Sequence, residues 1–387
     1  MKLKQSPEDF QVEELTAVVP TRGEHALYRM EKSGWSTPDA LNAVRRRWDI
    51  ALVRLSYGGL KDRHARTVSH FSIHRGPDRN LQHHDVLVEY LGQIPRPYTS
   101  EDIAANRFDI TLRDIAPALR PGVEERLAAL PVMGVPNYFD DQRFGSVAGP
   151  GSDFIARLLV KNDSEGALKL ALTGPYDFDN RATRDEKAAL VKHWGDWQAA
   201  KDALPRGHAR SLVDYLRVHP GDFKGAVSRL RPELRGLYLS AYQSHLWNRI
   251  LARWIERRTG EADRRRLALK LGPHPFPLRM DEPARTEYAR LWLPLPSARW
   301  KPMEDDPRLP LVREVVAEEG FPLEEMKVRG ARDLFFSRGD RPACLLVDNA
   351  AQEWADDDRH AGKKKLRLRF DLPRGAYATL VVKAAVG

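Results

Sequence analysis

Hydrophobic and polar positions along this chain repeat with different periods in successive stretches. Over the first 160 residues the pattern is mixed. Thr37-Pro38-Asp39 reads as a helix start, and Leu41, Val44 and Trp48 then recur at helical spacing. Val53, Leu55 and Tyr57 alternate with Arg54 and Ser56, and Phe108, Ile110 and Leu112 repeat that alternation, as half-buried strands do. Val86 to Leu91 is another strand candidate. From about residue 160 to 335 the pattern becomes helical, with polar, Pro-rich and Gly-rich joints. Thr183-Arg184-Asp185-Glu186 has the form of a capping box ahead of Ala188, Leu190, Val191 and Trp194. The longest predicted helix runs from about Pro232 to Arg258. There Tyr238, Tyr242, Leu246, Ile250 and Trp254 recur every fourth residue as one apolar stripe. After irregular, proline-containing segments, Leu366, Leu368, Phe370 and Leu372 alternate with Arg367, Arg369 and Asp371, a strand with a basic face.

Strands at both ends of a helical middle predict an α+β fold. Residues 1–160 and 336–387 are expected to share one sheet, and residues 161–335 to form an inserted domain. A cleft between the two is the expected place for a binding site. The chain has 387 residues, 42% of them hydrophobic, enough for two or three cores.

Composition narrows the chemistry. No stretch approaches the roughly 20 apolar residues that a membrane-spanning helix needs, and Met1-Lys2-Leu3-Lys4-Gln5 lacks the apolar run of a signal peptide, so a cytoplasmic protein with no membrane partner is expected. The one cysteine, Cys344, sits in an apolar segment and reads as a small buried hydrophobe. Lysine and arginine number 63 against 54 acids, a formal charge of +9 that favours polyanionic partners. Two runs are densely basic: Arg253, Arg257, Arg258, Arg264, Arg265 and Arg266, then Lys363, Lys364, Lys365, Arg367 and Arg369. They read either as nucleic-acid-binding patches or as solvated faces. Asp356-Asp357-Asp358 reads as a solvated acidic loop. Zinc spacing, a phosphate loop and a nucleotide-binding glycine fingerprint are all missing from the sequence, so neither a metal nor an organic cofactor is expected.

The stretch Gly58-Gly59-Leu60-Lys61-Asp62-Arg63-His64-Ala65-Arg66-Thr67 follows a predicted strand. Paired glycines allow a sharp turn that presents Asp62 at a rim, and Lys61 and Arg63 would favour its ionised form. Taken alone, Lys-Asp-Arg in a loop is usually a surface charge cluster and less often a nucleophile. The stretch resembles the nucleophile motif of the TruD family of pseudouridine synthases, Gly-x-Lys-Asp-x-x-Ala-x-Thr, at every fixed position. Four other segments resemble the same family in the same order: Lys4 with Pro7 to Glu14, Pro136 to Gly145, Leu239 to Asn248, and Gly375 to Thr379.

That resemblance implies a pseudouridine-synthase catalytic fold, a mainly antiparallel sheet flanked by helices, interrupted by a largely helical domain peculiar to the family. It also implies Asp62 as catalytic nucleophile, Lys4 as a basic residue near it, and Phe10, Asn137, Phe139 and Tyr377 in a uridine pocket. The implied reaction isomerises uridine in RNA, most simply transfer RNA at position 13, without cofactor or metal, in a chain taken as a monomer. An aromatic face such as Phe139 suits a base taken out of its stack, and an amide such as Asn137 suits the uracil edge. Gln243 and Ser244 are candidates to face the cleft, and Arg143 to hold a phosphate or an acid. The chain departs from the family pattern at Ser69, where glutamine is usual, at Asp140, where glycine is usual, and at Trp247 and Tyr377, where phenylalanine is common. Two alternatives remain at this point: a non-catalytic RNA-binding protein with the same fold, and a metal-dependent phosphodiesterase, which would need clustered carboxylates.

Overall fold

Alternating burial along Ile103–Ile115, with Phe108, Ile110 and Leu112 inward, makes that segment the long central strand of a sheet. The computed structural model describes every residue except Phe178 and Arg332. Among the described residues the sheet has ten strands: β1 (Lys2–Leu3), β2 (Phe10–Thr16), β3 (His25–Lys32), β4 (Leu55–Tyr57), β5 (Arg66–His74), β6 (Leu81–His83), β7 (Val86–Ile94), β8 (Ile103–Ile115), β9 (Asp348–Asp356) and β10 (Lys364–Leu372). Their order is β9-β10-β8-β2-β5-β3-β7-β6, with β1 on β8 and β4 on β5. The strands pair antiparallel except β2 with β5, which run parallel. The helix Thr37–Trp48 lays Ala40, Leu41, Val44 and Trp48 on Tyr28, Met30, Phe71 and Val88 of the sheet. Ser36 caps it, accepting from the Asp39 N–H.

By contact the chain divides into two units, Met1–Val135 with Leu345–Val386, and Pro136–Cys344 with Gly387. The sequence reading put residues 136–160 and 336–344 with the sheet, but their contacts lie in the second unit. One reason is visible at Phe139: its N–H donates to Asn248 Oδ1 at 2.7 Å and its carbonyl accepts from Asn248 Nδ2 at 2.9 Å, tying it to the long helix. That helix spans Pro232–Arg258, as its periodicity predicts, and buries Tyr238, Tyr242, Leu246, Ile250 and Trp254. The second unit is not purely helical, because Arg264–Leu269 and Gly272–Pro277 form an antiparallel hairpin.

Several local expectations change. The helix around Ala188 starts earlier, at Arg181, and Asn180 rather than Thr183 is its cap, accepting from the Thr183 N–H. Val53 lies before β4 and is 92% exposed, so the strand there is shorter than the alternation suggests. Asp357 is buried, accepting from Arg113 and from the Asp114 N–H, instead of lying in a solvated loop. Much of both basic runs is neutralised: Arg253 and Arg257 pair with Glu314, Arg258 with Glu287, Arg264 with Glu261, Arg266 with Glu256, Lys364 with Asp356, Lys365 with Asp358, and Arg367 and Arg369 with Asp109. Cys344 is buried. Among the described residues no helix is long and apolar enough to cross a membrane, and no group of three or more His, Cys, Asp or Glu is placed to hold a metal ion.

Candidate active site

The single parallel pair in the sheet creates the site. Because β2 and β5 run in the same direction, with Gln11 opposite Arg66, the chain enters both strands from one edge. Lys4 and Phe10 arrive there ahead of and at the start of β2, and Asp62 arrives ahead of β5. The turn leading into β2 is fixed from behind. Asp9 is buried and receives Arg113 Nε at 2.9 Å, Arg113 is held in turn by Asp357 and Asp358, and the Ser6 N–H donates to Asp9 at 3.2 Å. Lys4 itself has a left-handed backbone, φ 59°, a conformation that non-glycine residues adopt at some cost, and its side chain reaches the Asp62 loop. Its ammonium pairs with Asp62 Oδ2 and lies 4.1 Å from the centre of the Phe10 ring.

The loop before β5 is clamped by its main chain. The Lys61 N–H donates to Thr37 Oγ1 at 2.9 Å, and the buried Lys32 ammonium donates to the Asp62 carbonyl at 3.0 Å and to the Trp35 carbonyl at 2.7 Å. Gly58 serves close packing and not a left-handed turn, since a Cβ there would come within 2.8 Å of the Ile103 side chain. Asp62 Oδ1 accepts from the His64 N–H at 2.9 Å. Burial alone would raise the Asp62 pKa, but the bonds from Lys4 and His64 and the Lys4 charge outweigh it, so the group lies below the usual carboxylate range. Asp62 is therefore an ionised carboxylate with its side chain 29% exposed, held by two donors.

The counterion is not the one that sequence proximity suggests. Lys61 turns away from Asp62, its ammonium 2.9 Å from Glu14 Oε2 and donating to Asn106 Oδ1 at 2.6 Å. Arg63 donates from Nε to the Gly34 carbonyl at 3.1 Å. Glu14 is a wholly buried carboxylate that also accepts from the His70 N–H at 3.0 Å and the Tyr98 hydroxyl at 2.9 Å. Burial works to raise its pKa, and the His70 and Lys61 partners reverse this, so the group stays ionised and braces Lys61. The sequence reading gave Glu14 and Lys32 no role. The signal was present for Glu14, which continues the inward alternation of Phe10 and Val12 with a charge where an apolar side chain would fit. Lys32 was less legible, because a lysine ending a strand usually faces water.

The other expected site residues are placed differently. Asn137 and Phe139 lie in the second unit and are buried. The Asn137 amide is engaged: Nδ2 donates to the Pro342 carbonyl at 2.8 Å, and Oδ1 accepts from Arg341, which also donates to the Asn137 carbonyl at 3.0 Å. The Phe139 ring meets Trp247 edge-on and has the Arg341 guanidinium 4.2 Å and that of Arg143 5.4 Å from its centre. Arg143 donates to Ser240 Oγ at 3.3 Å. Arg341 was missed in the sequence reading, and its distance in the chain from Asn137 explains why. Asp140 is buried. Gln243 does not face open space, since its amide donates to the Pro296 and Ser337 carbonyls, and Ser244 is buried beside it. Tyr377 belongs to the first unit, half-buried in the turn between β10 and the terminal helix Ala378–Val386. The structure thus brings Lys4, Phe10 and Asp62 together, and gathers Asn137 with Phe139 around Arg341.

Known proteins resemble this chain over most of its length. Residues 1–267 match the family model described as tRNA pseudouridine synthase D (TruD). The chain is 30% identical to a probable tRNA pseudouridine synthase D of Methanopyrus kandleri, over 95% of this chain and 86% of the relative. It is 27% identical to the tRNA pseudouridine synthase D of Aquifex aeolicus, over 99% of this chain and 97% of that one. Among solved structures it resembles a crystal structure from Methanosarcina mazei provisionally assigned as tRNA pseudouridine synthase D. That match has a TM-score of 0.73 and 26% identity, and covers 100% of this chain and 93% of the other.

Proposed function

This chain belongs to the TruD family of tRNA pseudouridine synthases, and we propose that it isomerises uridine to pseudouridine in transfer RNA, at position 13, with Asp62 as the covalent nucleophile. The observation that carries the reading is the Asp62 carboxylate itself, kept ionised by Lys4 and the His64 N–H at the edge where β2 and β5 begin. A nucleophile of this kind must be charged, fixed and reachable, and Asp62 meets all three needs.

The target uridine must leave its stack before any carboxylate can reach it. The Phe10 ring beside the Lys4 ammonium offers an apolar face at the nucleophile, and Tyr377, in the same unit, is the candidate for a second aromatic face. Asn137 contributes through its place between Arg341 and Pro342, which fixes the segment carrying Phe139. Attack by Asp62 forms a covalent adduct, the bond from C1′ to N1 breaks, and the uracil turns over. The bond from C1′ to C5 then forms, the C5 proton is transferred to N1, and the carboxylate is released. Atoms and electrons balance within the nucleotide, so the sequence of steps consumes no water and no redox partner. Lys4 sets the charge of the nucleophile, while Lys32, Thr37, Lys61 and Glu14 hold the loop that carries it.

The test uses bulk transfer RNA from cells lacking the activity, incubated with the wild-type protein or with Asp62→Ala and mapped for pseudouridine at single-nucleotide resolution. New pseudouridine at position 13 is expected with the wild type, and a loss of about 10⁴-fold or more with the variant. Equal modification by both proteins would remove Asp62 from the chemistry.

A further inference from the structure

The basic runs that stand out in the sequence are largely spent on ion pairs, whereas a less conspicuous set of arginines is not. On the helix Thr37–Trp48, the positions Asp39, Asn42, Ala43 and Arg46 follow one another at helical spacing on the face opposite the buried stripe. With Arg47, Gly34, Trp35, Arg63 and His83 they line an open groove of about 690 Å³ in the first unit. Arg46, Arg47 and Arg63 are all exposed, and among the described residues no carboxylate lies within ion-pair distance of any of them. Among the described residues Arg47 meets only His83 Nδ1, at 3.2 Å, and Arg63 only the Gly34 carbonyl, through Nε at 3.1 Å. The one acid in the lining, Asp39, is occupied by the Ser36 hydroxyl at 2.6 Å and by the helix N-terminus. Trp35 packs against the core beneath, lines the groove, and has its ring centre 6.0 Å from that of His83.

The groove's position is as informative as its charge. Arg63 follows Asp62 directly, so its Cα lies about 3.8 Å from that of the nucleophile. The Trp35 carbonyl and the Asp62 carbonyl are donated to by the same Lys32 ammonium, which ties the groove floor to the catalytic loop. A polyanion whose uridine is at Asp62 must continue past this point. We propose that the groove holds the RNA strand adjoining the target uridine, with Arg46, Arg47 and Arg63 on its phosphates and Trp35 against a neighbouring base. Guanidinium groups without carboxylate partners gain most from phosphate, and an aromatic ring stacks on any base, so this contact positions the strand without reading its sequence.

The inference rests on the reading of the chain as a pseudouridine synthase, and the experiment separates the two. Affinity for bulk transfer RNA is measured across a salt series for the wild type, for Arg46→Ala/Arg47→Ala, for Arg46→Lys/Arg47→Lys, and for Lys364→Ala/Lys365→Ala, whose lysines are already paired. Pseudouridine formation by the wild type is scored in parallel. The Arg46→Ala/Arg47→Ala protein is expected to bind about tenfold more weakly and to lose about two units of the log–log salt slope. The lysine-for-arginine protein should recover most of that slope, and the Lys364→Ala/Lys365→Ala control, with the same net charge as the alanine variant, should keep all of it. An unchanged slope in Arg46→Ala/Arg47→Ala, or an equal loss in the control, overturns the proposal while wild-type pseudouridine formation leaves the enzymatic reading standing. A wild type that neither binds nor modifies transfer RNA overturns both. Thermal unfolding at the wild-type temperature is expected for all variants, since the substituted side chains are exposed or half-exposed.

Discussion

Two segments of this molecule carry equally plain family motifs, and the fold treats them in opposite ways. In the loop before β5, long-range partners occupy the main chain and leave the Asp62 carboxylate as the group that faces outward, charged and held by two donors. In the segment Asn137–Asp140, the side-chain amide that the sequence offers for substrate is taken up by Pro342 and Arg341, and the aromatic ring is walled by Trp247 and guanidinium groups. A motif names residue types, and the partners that reach it from elsewhere in the chain decide which of its polar groups remain available.

The sharpest way to break that contrast is to remove the partner that makes Asp62 special. Lys4→Met deletes the cation while keeping a chain of similar length beside Phe10. Pseudouridine formation at neutral pH is expected to fall about a hundredfold through loss of positioning and charge. Its acid limb should also move to higher pH, because the Asp62 pKa is no longer held down. The sign for stability follows from the same shift. The native carboxylate has a lowered pKa, so the stabilisation is fully present above the unfolded value of about 3.9 and is lost as pH falls through the native one. A rate profile of the variant superimposable on that of the wild type would show that Lys4 does not control the nucleophile.

Asn137→Ala tests the other half of the comparison. If the amide is structural, its removal strands the Pro342 carbonyl and Arg341, and stability should fall by about 1–3 kcal/mol, read as a lowered denaturant midpoint. A variant as stable as the wild type but with a much higher KM would instead return Asn137 to direct substrate contact.

The smallest expected effect concerns Lys32. Burial lowers its pKa to about 8, so as pH rises through that value the charge on the ammonium gripping the Asp62 carbonyl is lost. A decline of a few fold in kcat near pH 8 is expected, absent in Lys32→Met, whose rate is lower throughout. Stability should move the other way, rising between about pH 8 and about 10.4, because the unfolded lysine binds its proton more tightly there. An alkaline limb that persists in Lys32→Met would assign it to another group.

What the sequence determined by itself was most of what depends on near neighbours or on period, the cap at Asn180 and the short β4 being exceptions. The long helix is legible to its ends because one turn brings every fourth residue to the same face, and the stripe from Tyr238 to Trp254 is continuous. β8 and β10 are legible because alternation fixes which side is buried. The motif, too, singled out Asp62, which the fold leaves charged and partly exposed. The tertiary structure alone decided what Asp62 pairs with, since Lys61 and Arg63 lie beside it in the chain yet turn to Glu14 and Gly34, and Lys4 comes from 58 residues away. It decided which cations are free, because ion pairs such as Arg253 with Glu314 join helices distant in sequence. Periodicity records which face of an element is apolar. It holds no record of which other element will bring an opposite charge to within 3 Å, and short-range electrostatics is set by that distance.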